Sequence, residues 1–385
     1  MIPNRVIVAG AGPAGLLAAT VLVRNGVPVV VVEAGPGPSP AGRSSTLMPS
    51  TLGILDGIGL TDRLLDIALV GRSIQYRKAG GAVIADLDLD VLTHDTRFPY
   101  LVQCEQATVC ALLWEKLESE ELAELLPGHR VVGVTNDAYG VVVNVETADG
   151  PAEVAGTYAI AADGTDSVVR GLVEIGFDDP GEEGRFVIVS TTFDLREVVP
   201  DLAYVTYVAD RGSWVAVERT AERWRVTIPL SAEVPDDEAT SDAYVGAALA
   251  ALFGHDQPIP VDEALLFRAQ HRIASTFRRG RVLLAGNAAH ETGPIGALGL
   301  NLGLHDAVSA ARRLSAVVQW WDEDEELDWY ERYRKKVAEE LTEVAWLHTD
   351  EAAGTAAVQT AAADSDAAHD LLMRTTMLDS ARTSL

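Results

Sequence analysis

Gly10, Gly12 and Gly15 form a G-x-G-x-x-G cluster directly after the short apolar run Arg5–Ala9. Each glycine has a physical use: one makes the tight turn, one lets the backbone approach a pyrophosphate, one brings helix and strand into close contact. Ala14 sits inside the same turn, and Glu33 closes the next apolar run, Val27–Val32. A carboxylate at that strand end can accept hydrogen bonds from an adenosine ribose. Strand, glycine turn, helix, second strand and terminal acid together predict an adenine dinucleotide at the head of the first helix. Two further stretches place polar groups at strand ends. Asp163-Gly164 ends the apolar run Tyr158–Ala162, with Arg170 a little further on. Gly286-Asn287 ends the run Val282–Ala285, and beyond Pro294 a helix opens near Gly299, Leu300 and Asn301. The N–H groups of such a helix start suit an anion.

The elements that must hold these groups are marked by periodicity and punctuation. Leu16–Asn25 reads as a helix with Ala19 and Leu22 on its buried side, closed by Gly26, where a left-handed residue is wanted. Pro49–Leu60 is helical by the spacing of Leu52, Ile54, Leu55 and Ile58. Gly80-Gly81 marks a hairpin within Gly71–Tyr100. Gln103 introduces a helix expected over Ala107–Leu125 and stopped by Pro127-Gly128, and Val131–Val145 reads as β around the turn Asp137–Gly140. From Phe186 to Pro229 the pattern is antiparallel β, followed by a helix at Ser241–Leu252 and a strand at Leu265–Ile273. The nucleotide-binding pattern returns at Arg281, so this β module is an insertion. A long helix, Ala297–Leu314, a charged helical stretch, Trp320–Trp346, and an Ala-rich tail from Thr349 complete the chain.

A chain of 385 residues, 48% of them apolar and 23% charged, can bury two packed modules. The formal net charge of −27 argues against nucleic acid or an anionic membrane as partner. No apolar run is long enough to span a membrane, and the nucleotide fold starts at the N-terminus without a secretory signal, so a cytoplasmic protein is expected. Cys104 and Cys110 are not in C-x-x-C spacing, which argues against a dithiol redox motif or a Cys-based metal site. His290 and His305 lack metal-ligand partners at suitable spacing and read as packing or hydrogen-bonding residues. No metal is expected.

In combination and order, the Gly10–Glu33 unit, Ala162–Arg170 and Gly280–His290 with Pro294–Asn301 resemble the FAD-dependent aromatic-hydroxylase family. These are single-component flavoprotein monooxygenases typified by para-hydroxybenzoate hydroxylase, and the likeness runs from residue 1 to about 345. It implies an α/β (α+β composite) fold: a Rossmann-like FAD-binding domain with an inserted antiparallel β-sheet substrate domain and a helical C-terminal tail. The FAD-binding domain is expected over 1–70, 101–175 and 274–345, the substrate domain over 71–100 and 176–273, and the tail over 346–385. Cofactor-binding residues implied are Gly10, Gly12, Ala14, Gly15, Glu33, Asp163, Arg170, Asn287, Pro294, Gly299, Leu300 and Asn301. Arg43 resembles the family's arginine near the FAD phosphates, and Gln103 the glutamine that opens the next helix and contacts the ribityl chain. Pro294 would lie beside the reactive flavin edge, the one catalytic position implied, with the N–H groups of Leu300 and Asn301 facing the negative charge of reduced flavin. One departure stands out: the family usually has Gly-Asp where this chain has Gly286-Asn287, which exchanges a charge-assisted hydrogen bond for a neutral one.

The resemblance implies that NADPH or NADH reduces FAD, that O2 is captured as a C4a-hydroperoxide, and that one oxygen atom passes to a small organic substrate. An aromatic or polycyclic secondary metabolite is the expected class. Tyr207, Trp214 and Trp224 are expected near the substrate, with core packing as the alternative role. Three other functions are weighed. A flavin-dependent halogenase carries W-x-W-x-I-P, but Trp224–Pro229 has Val226 at the second tryptophan position. An FAD-dependent reductase or dehydrogenase uses no oxygen, and a non-catalytic binding protein has only Asn287 in its favour. The oligomeric state is open.

Overall fold

The computed structural model describes residues 2–40, 46–177, 184–320, 323–344 and 350–384. Its first layer is a six-stranded sheet in the order Arg278–Arg279, Val282–Leu284, Tyr158–Ala161, Val6–Ala9, Val29–Glu33, Ala123–Pro127. All neighbours run parallel except the hairpin Arg278–Arg279/Val282–Leu284. Val8 pairs with both Ile160 and Val31, and the whole of Val6–Ala9 is buried. Strands covered on both faces can afford such unbroken apolar runs. The first helix, Pro13–Arg24, starts directly from Gly12, earlier than its apolar spacing predicts, because proline fits the first helical turn. It packs on the long helix Leu298–Trp320. Gly26, with φ +78°, returns the chain to the second strand as expected.

One element differs in kind from the expectation. The helix after Gln103 covers only Gln106–Glu118, and Ala123–Pro127 is a parallel edge strand beside Val29–Glu33. The leucines at 117, 122, 125 and 126 fit helical spacing, but Leu125 and Leu126 pair across to Val31 and Val32. A non-local partner outweighs local periodicity here.

The inserted module is a seven-stranded sheet in the order Glu263–Ala269, Gly184–Thr191, Trp224–Pro229, Ser213–Arg219, Val205–Asp210, Ser73–Lys78, Val83–Asp88. Only Val205–Asp210 and Ser73–Lys78 pair in parallel. The hairpin at 73–88 turns on Gly80 and Gly81, both with positive φ. The register sorts side chains onto two faces. Val205, Tyr207, Ala209, Trp214 and Ala216 join the core of the nucleotide-binding half, whereas Val215, Val217, Trp224, Val226 and Ile228 form a second core with Val245 and Leu249 of the helix Asp242–Phe253.

Three tail helices, Glu351–Ala363, Ser365–Thr375 and Leu378–Ser384, follow. They tie to both halves: Ser50 Oγ donates to the Thr376 carbonyl at 2.8 Å, and the Gly212 N–H donates to Glu351 Oε2 at 2.6 Å. His369 Nε2 lies 2.7 Å from Asp95 Oδ2. Among the described residues no helix is long and apolar enough to cross a membrane. Cys104 and Cys110 are free and buried, and burial pushes their thiols up to about 11 and about 12.

Candidate functional site

A cavity of about 670 Å³ opens where the parallel strands end. That is where an open α/β sheet places its ligand. The glycine turn lines it, and each glycine answers a separate steric demand. Gly10 has φ +104°, and a Cβ there would overlap the Ala162 carbonyl oxygen. A Cβ on Gly15 would overlap the Gly10 carbonyl oxygen, so strand and helix meet only because both are bare. Gly12 is extended, and a Cβ on it would touch nothing within 4 Å. Its free side is the cavity, and the helix behind it has no side-chain cap. The first-turn N–H groups are therefore available to a ligand anion. Ala14 lines the same wall.

Glu33 is fixed from both sides: Oε2 accepts from the Ala11 N–H and Oε1 from the Gly35 N–H, each at 2.7 Å. Each oxygen keeps a further lone pair for a ribose hydroxyl. Asp163 is held by Ser167 Oγ at 2.5 Å and the Val169 N–H at 3.0 Å. Burial raises its carboxyl, and these two donors work the other way. Arg170 donates to the carbonyls of Ala288 and Thr165 and lies 3.7 Å over the Phe177 ring, tying the second motif to the third rather than lining the cavity. Asn287 lines the cavity, and its Nδ2 donates to Thr165 Oγ1 at 3.2 Å. The carbonyl oxygen of that amide is left to accept from a ligand hydroxyl.

Pro294, Gly299 and Leu300 line the opposite wall, at the start of the long helix. Asn301 does not: it is fully buried, accepts from the Met48 N–H and Thr51 Oγ1, and donates to the carbonyls of Thr46 and Ala297. All the hydrogen-bonding capacity of its side chain is spent on fixing the helix start. Gln103 likewise ends a strand, Leu101–Gln103, fully buried and not among the residues that line the cavity. Gln106, the first helical residue, lines the cavity instead. The helix opens three positions later than Gln103, so the glutamine that opens it is the other one. Arg43 lies outside the described residues.

Behind Gly286 stands a buried charged relay that spacing did not reveal. Asp306 Oδ2 accepts from the Gly286 N–H at 3.1 Å and faces His290 Nε2 at 2.5 Å, while its Oδ1 accepts from Arg334 Nε at 2.6 Å. Asp306, His290 and Arg334 are each at most 1% exposed. Burial works to raise the Asp306 carboxyl, but Arg334 and His290 outweigh it and hold the group below the usual carboxylate range. The adjacent His305 is pushed down to about 3 by burial and by Arg334, so it is a neutral packing residue.

Phe267 brings the inserted sheet to the cavity. On the same sheet face Tyr207 stacks on Tyr76 at 5.4 Å between centroids, and Trp214 meets Tyr76 edge-on at 5.5 Å. Trp224, expected near the substrate, instead lies on the far face, in the second core, with Nε1 donating to Asp194 Oδ1 at 3.0 Å. Among the described residues no group of three or more His, Cys, Asp or Glu could hold a metal ion. The bare glycine turn, the uncapped helix start, the held Glu33 and the Asn287 carbonyl form a donor and acceptor set suited to FAD.

Comparison with known proteins agrees with this geometry. A family model described as an FAD binding domain matches residues 4–345. Para-nitrophenol 4-monooxygenase of Pseudomonas sp. (strain WBC-3) is 34% identical over 346 residues, 88% of this chain and 84% of that protein. A 12-dehydrotetracycline 5-monooxygenase/anhydrotetracycline 6-monooxygenase of Streptomyces rimosus is 33% identical over 347 residues, 86% of this chain and 67% of that one. The crystal structure of p-nitrophenol 4-monooxygenase from Pseudomonas putida DLL-E4 superposes with a TM-score of 0.90 at 31% identity, covering 98% of each chain.

Proposed function

The chain belongs to the FAD-dependent aromatic hydroxylases, and from that premise we propose that it uses NADPH or NADH and O2 to place one oxygen atom on a small aromatic or polycyclic molecule. The observation that carries the reading is the union of the three motifs around one cavity, with Phe267 of the inserted sheet at its edge. FAD, when bound, would supply the redox chemistry of hydride acceptance and O2 activation.

The chain's own residues do the holding. The bare face of Gly12 and the N–H groups behind it receive the pyrophosphate, and Glu33 receives the adenosine ribose. Asn287, set by Thr165, accepts from the ribityl chain, with Gln106 as the residue for that role on the other wall. Arg170 joins the segments carrying Thr165 and Ala288 and so keeps the cavity in shape. Pro294 and the helix start at Gly299 and Leu300 line the wall assigned to the reactive ring edge, where free N–H groups favour negative charge. Tyr76, Tyr207 and Trp214 do not themselves line the cavity; buried on the sheet face that carries Phe267, they make that side apolar, which suits an aromatic substrate and the exclusion of water.

The test is direct. Purified protein should carry FAD and show NAD(P)H oxidation with O2 uptake that rises when a substrate phenol is added. With 18O2 the product should gain one labelled oxygen. FAD bound but reduced and reoxidised with no labelled product from any phenol tried would favour the reductase reading. Halide-dependent product would favour the halogenase.

A further inference from the structure

Among the buried side chains that carry an unpartnered polar atom, two that the proposed function leaves unused lie close to the cofactor cavity's helix start. Arg225 is 6% exposed and Gln103 fully buried, yet Arg225 Nη1 and Gln103 Nε2 have no hydrogen-bond partner among the described residues. A buried donor left unpaired costs about 1–3 kcal/mol, so it is kept where a ligand can satisfy it.

Thr46 and Glu218 link the two. Arg225 pairs across strands with Glu218 and shares its face with Thr227, Ala216 and Tyr207, the face turned to the nucleotide-binding half. Thr46 Oγ1 donates to Glu218 Oε1 at 2.8 Å and lies 3.1 Å from Gln103 Oε1. Arg225 Nη2 donates to Glu105 Oε2 at 3.1 Å, and Thr220 Oγ1 donates to Glu105 Oε1 at 3.1 Å. Glu105 is followed directly by Gln106, which lines the cofactor cavity. Phe267, at the cavity edge, lies two strands over and four residues along from Arg225. Their Cα atoms are then roughly 16 Å apart on one face of the sheet, a span that an aromatic molecule and the two side chains could bridge.

We infer that Arg225 and Gln103 hold an uncharged oxygen acceptor, a carbonyl or nitro oxygen, on the substrate of the proposed monooxygenase. The inference rests on that function and names its substrate class. The lack of charge follows from the surroundings: one guanidinium stands beside two carboxylates, Glu105 and Glu218, and it is already paired to the first. A carboxylate ligand would meet excess negative charge there, whereas a neutral carbonyl accepts both donors without it.

The experiment titrates the FAD-loaded protein with three phenols of like size, 4-hydroxyacetophenone, 4-isopropylphenol and 4-hydroxybenzoate, and follows the flavin absorbance. The first should bind about tenfold or more tighter than either of the others. Gln103→Leu, and Arg225→Lys, which keeps a cation for Glu105 but loses the fork, should each bring the ketone to within about threefold of 4-isopropylphenol, whose own affinity hardly moves. Equal binding of ketone and isopropyl compound, no response to either, or a preference for the benzoate overturns the inference. So does an unchanged ketone preference in both variants. If the protein takes up no FAD, the proposed function itself falls and this inference with it; if FAD is held and the phenols bind alike, only the inference falls.

Discussion

Gly10 and Gly12 stand two residues apart in one turn, yet alanine should fail at them for opposite reasons. At Gly10 the backbone is at φ +104°, and an added Cβ overlaps the Ala162 carbonyl oxygen. The left-handed conformation costs about 1–2 kcal/mol and the overlap about 1–3 kcal/mol, so Gly10→Ala should destabilise the apoprotein by about 2–5 kcal/mol. At Gly12 φ is −79° and a Cβ has no neighbour within 4 Å. Alanine is a poorer N-cap than glycine, a cost of up to about 1 kcal/mol, while the lost flexibility of the unfolded chain returns about 0.4–1 kcal/mol. The apoprotein of Gly12→Ala should therefore melt within a degree or two of the parent. Its methyl group, however, stands where the pyrophosphate must approach. Losing one N–H bond to that anion is worth about 1.5–3 kcal/mol, so FAD should bind roughly ten- to a hundredfold more weakly. Thermal melts of the apoproteins, paired with FAD titration by flavin fluorescence, read both effects. Parent-like FAD affinity in Gly12→Ala would refute the placement of the pyrophosphate, and a parent-like melt for Gly10→Ala would refute the steric argument.

Four other outcomes are expected. Asp306→Ala leaves Arg334 buried without its carboxylate partner and should cost about 3–5 kcal/mol in chemical denaturation. Asn287→Asp should tighten FAD about fivefold in an equilibrium titration, since Thr165 can donate to the new carboxylate; equal or weaker binding would sink that account. Trp224→Phe should lose about 1–3 kcal/mol through its Asp194 bond without changing phenol affinity, whereas Trp214→Phe, whose indole N–H has no partner among the described residues, should lose less stability and alter phenol binding. His369 is raised by its hydrogen bond to Asp95, so its contribution is complete below its unfolded value and fades as pH rises through the raised folded value. The melting-temperature gap between parent and His369→Ala should thus be wider at pH 5.5 than at pH 8.5.

The cofactor-facing turns could be read from sequence because their demands are local. Gly10, Gly12 and Gly15 answer to steric limits within a few residues, and Glu33, Asp163 and Asn287 stand at strand ends that the apolar runs already define. What failed to show was set by distant partners or by a choice of face. The segment 123–127 carries leucines that fit a helix and becomes a strand only because Val29–Glu33 lies beside it. Trp224 and Trp214 look alike in a sheet buried on both faces, since alternation then carries no polar signal. The glutamine at the cavity is Gln106 rather than Gln103 because two glutamines precede the helix expected from Ala107, and only the nearer one stands on its first turn. The Asp306 relay joins residues 16 and 28 positions apart, a separation no local period reports.

The sheet order also dictates how this chain can be born. Val6–Ala9 is made among the first residues, but one of its two neighbours is Tyr158–Ala161, and the next strand beyond, Val282–Leu284, comes later still. At about 5–20 residues per second of synthesis, roughly eight to thirty seconds pass before the first strand meets that partner. Meanwhile Ser73–Lys78 waits for Val205–Asp210 in the other sheet. Nascent chains therefore carry two unpaired strand edges at once, that of Val6–Ala9 strongly apolar, the condition under which chains associate with one another or with a chaperone. Recovery of active protein should then depend on expression temperature and chaperone supply more than on the stability of the finished fold.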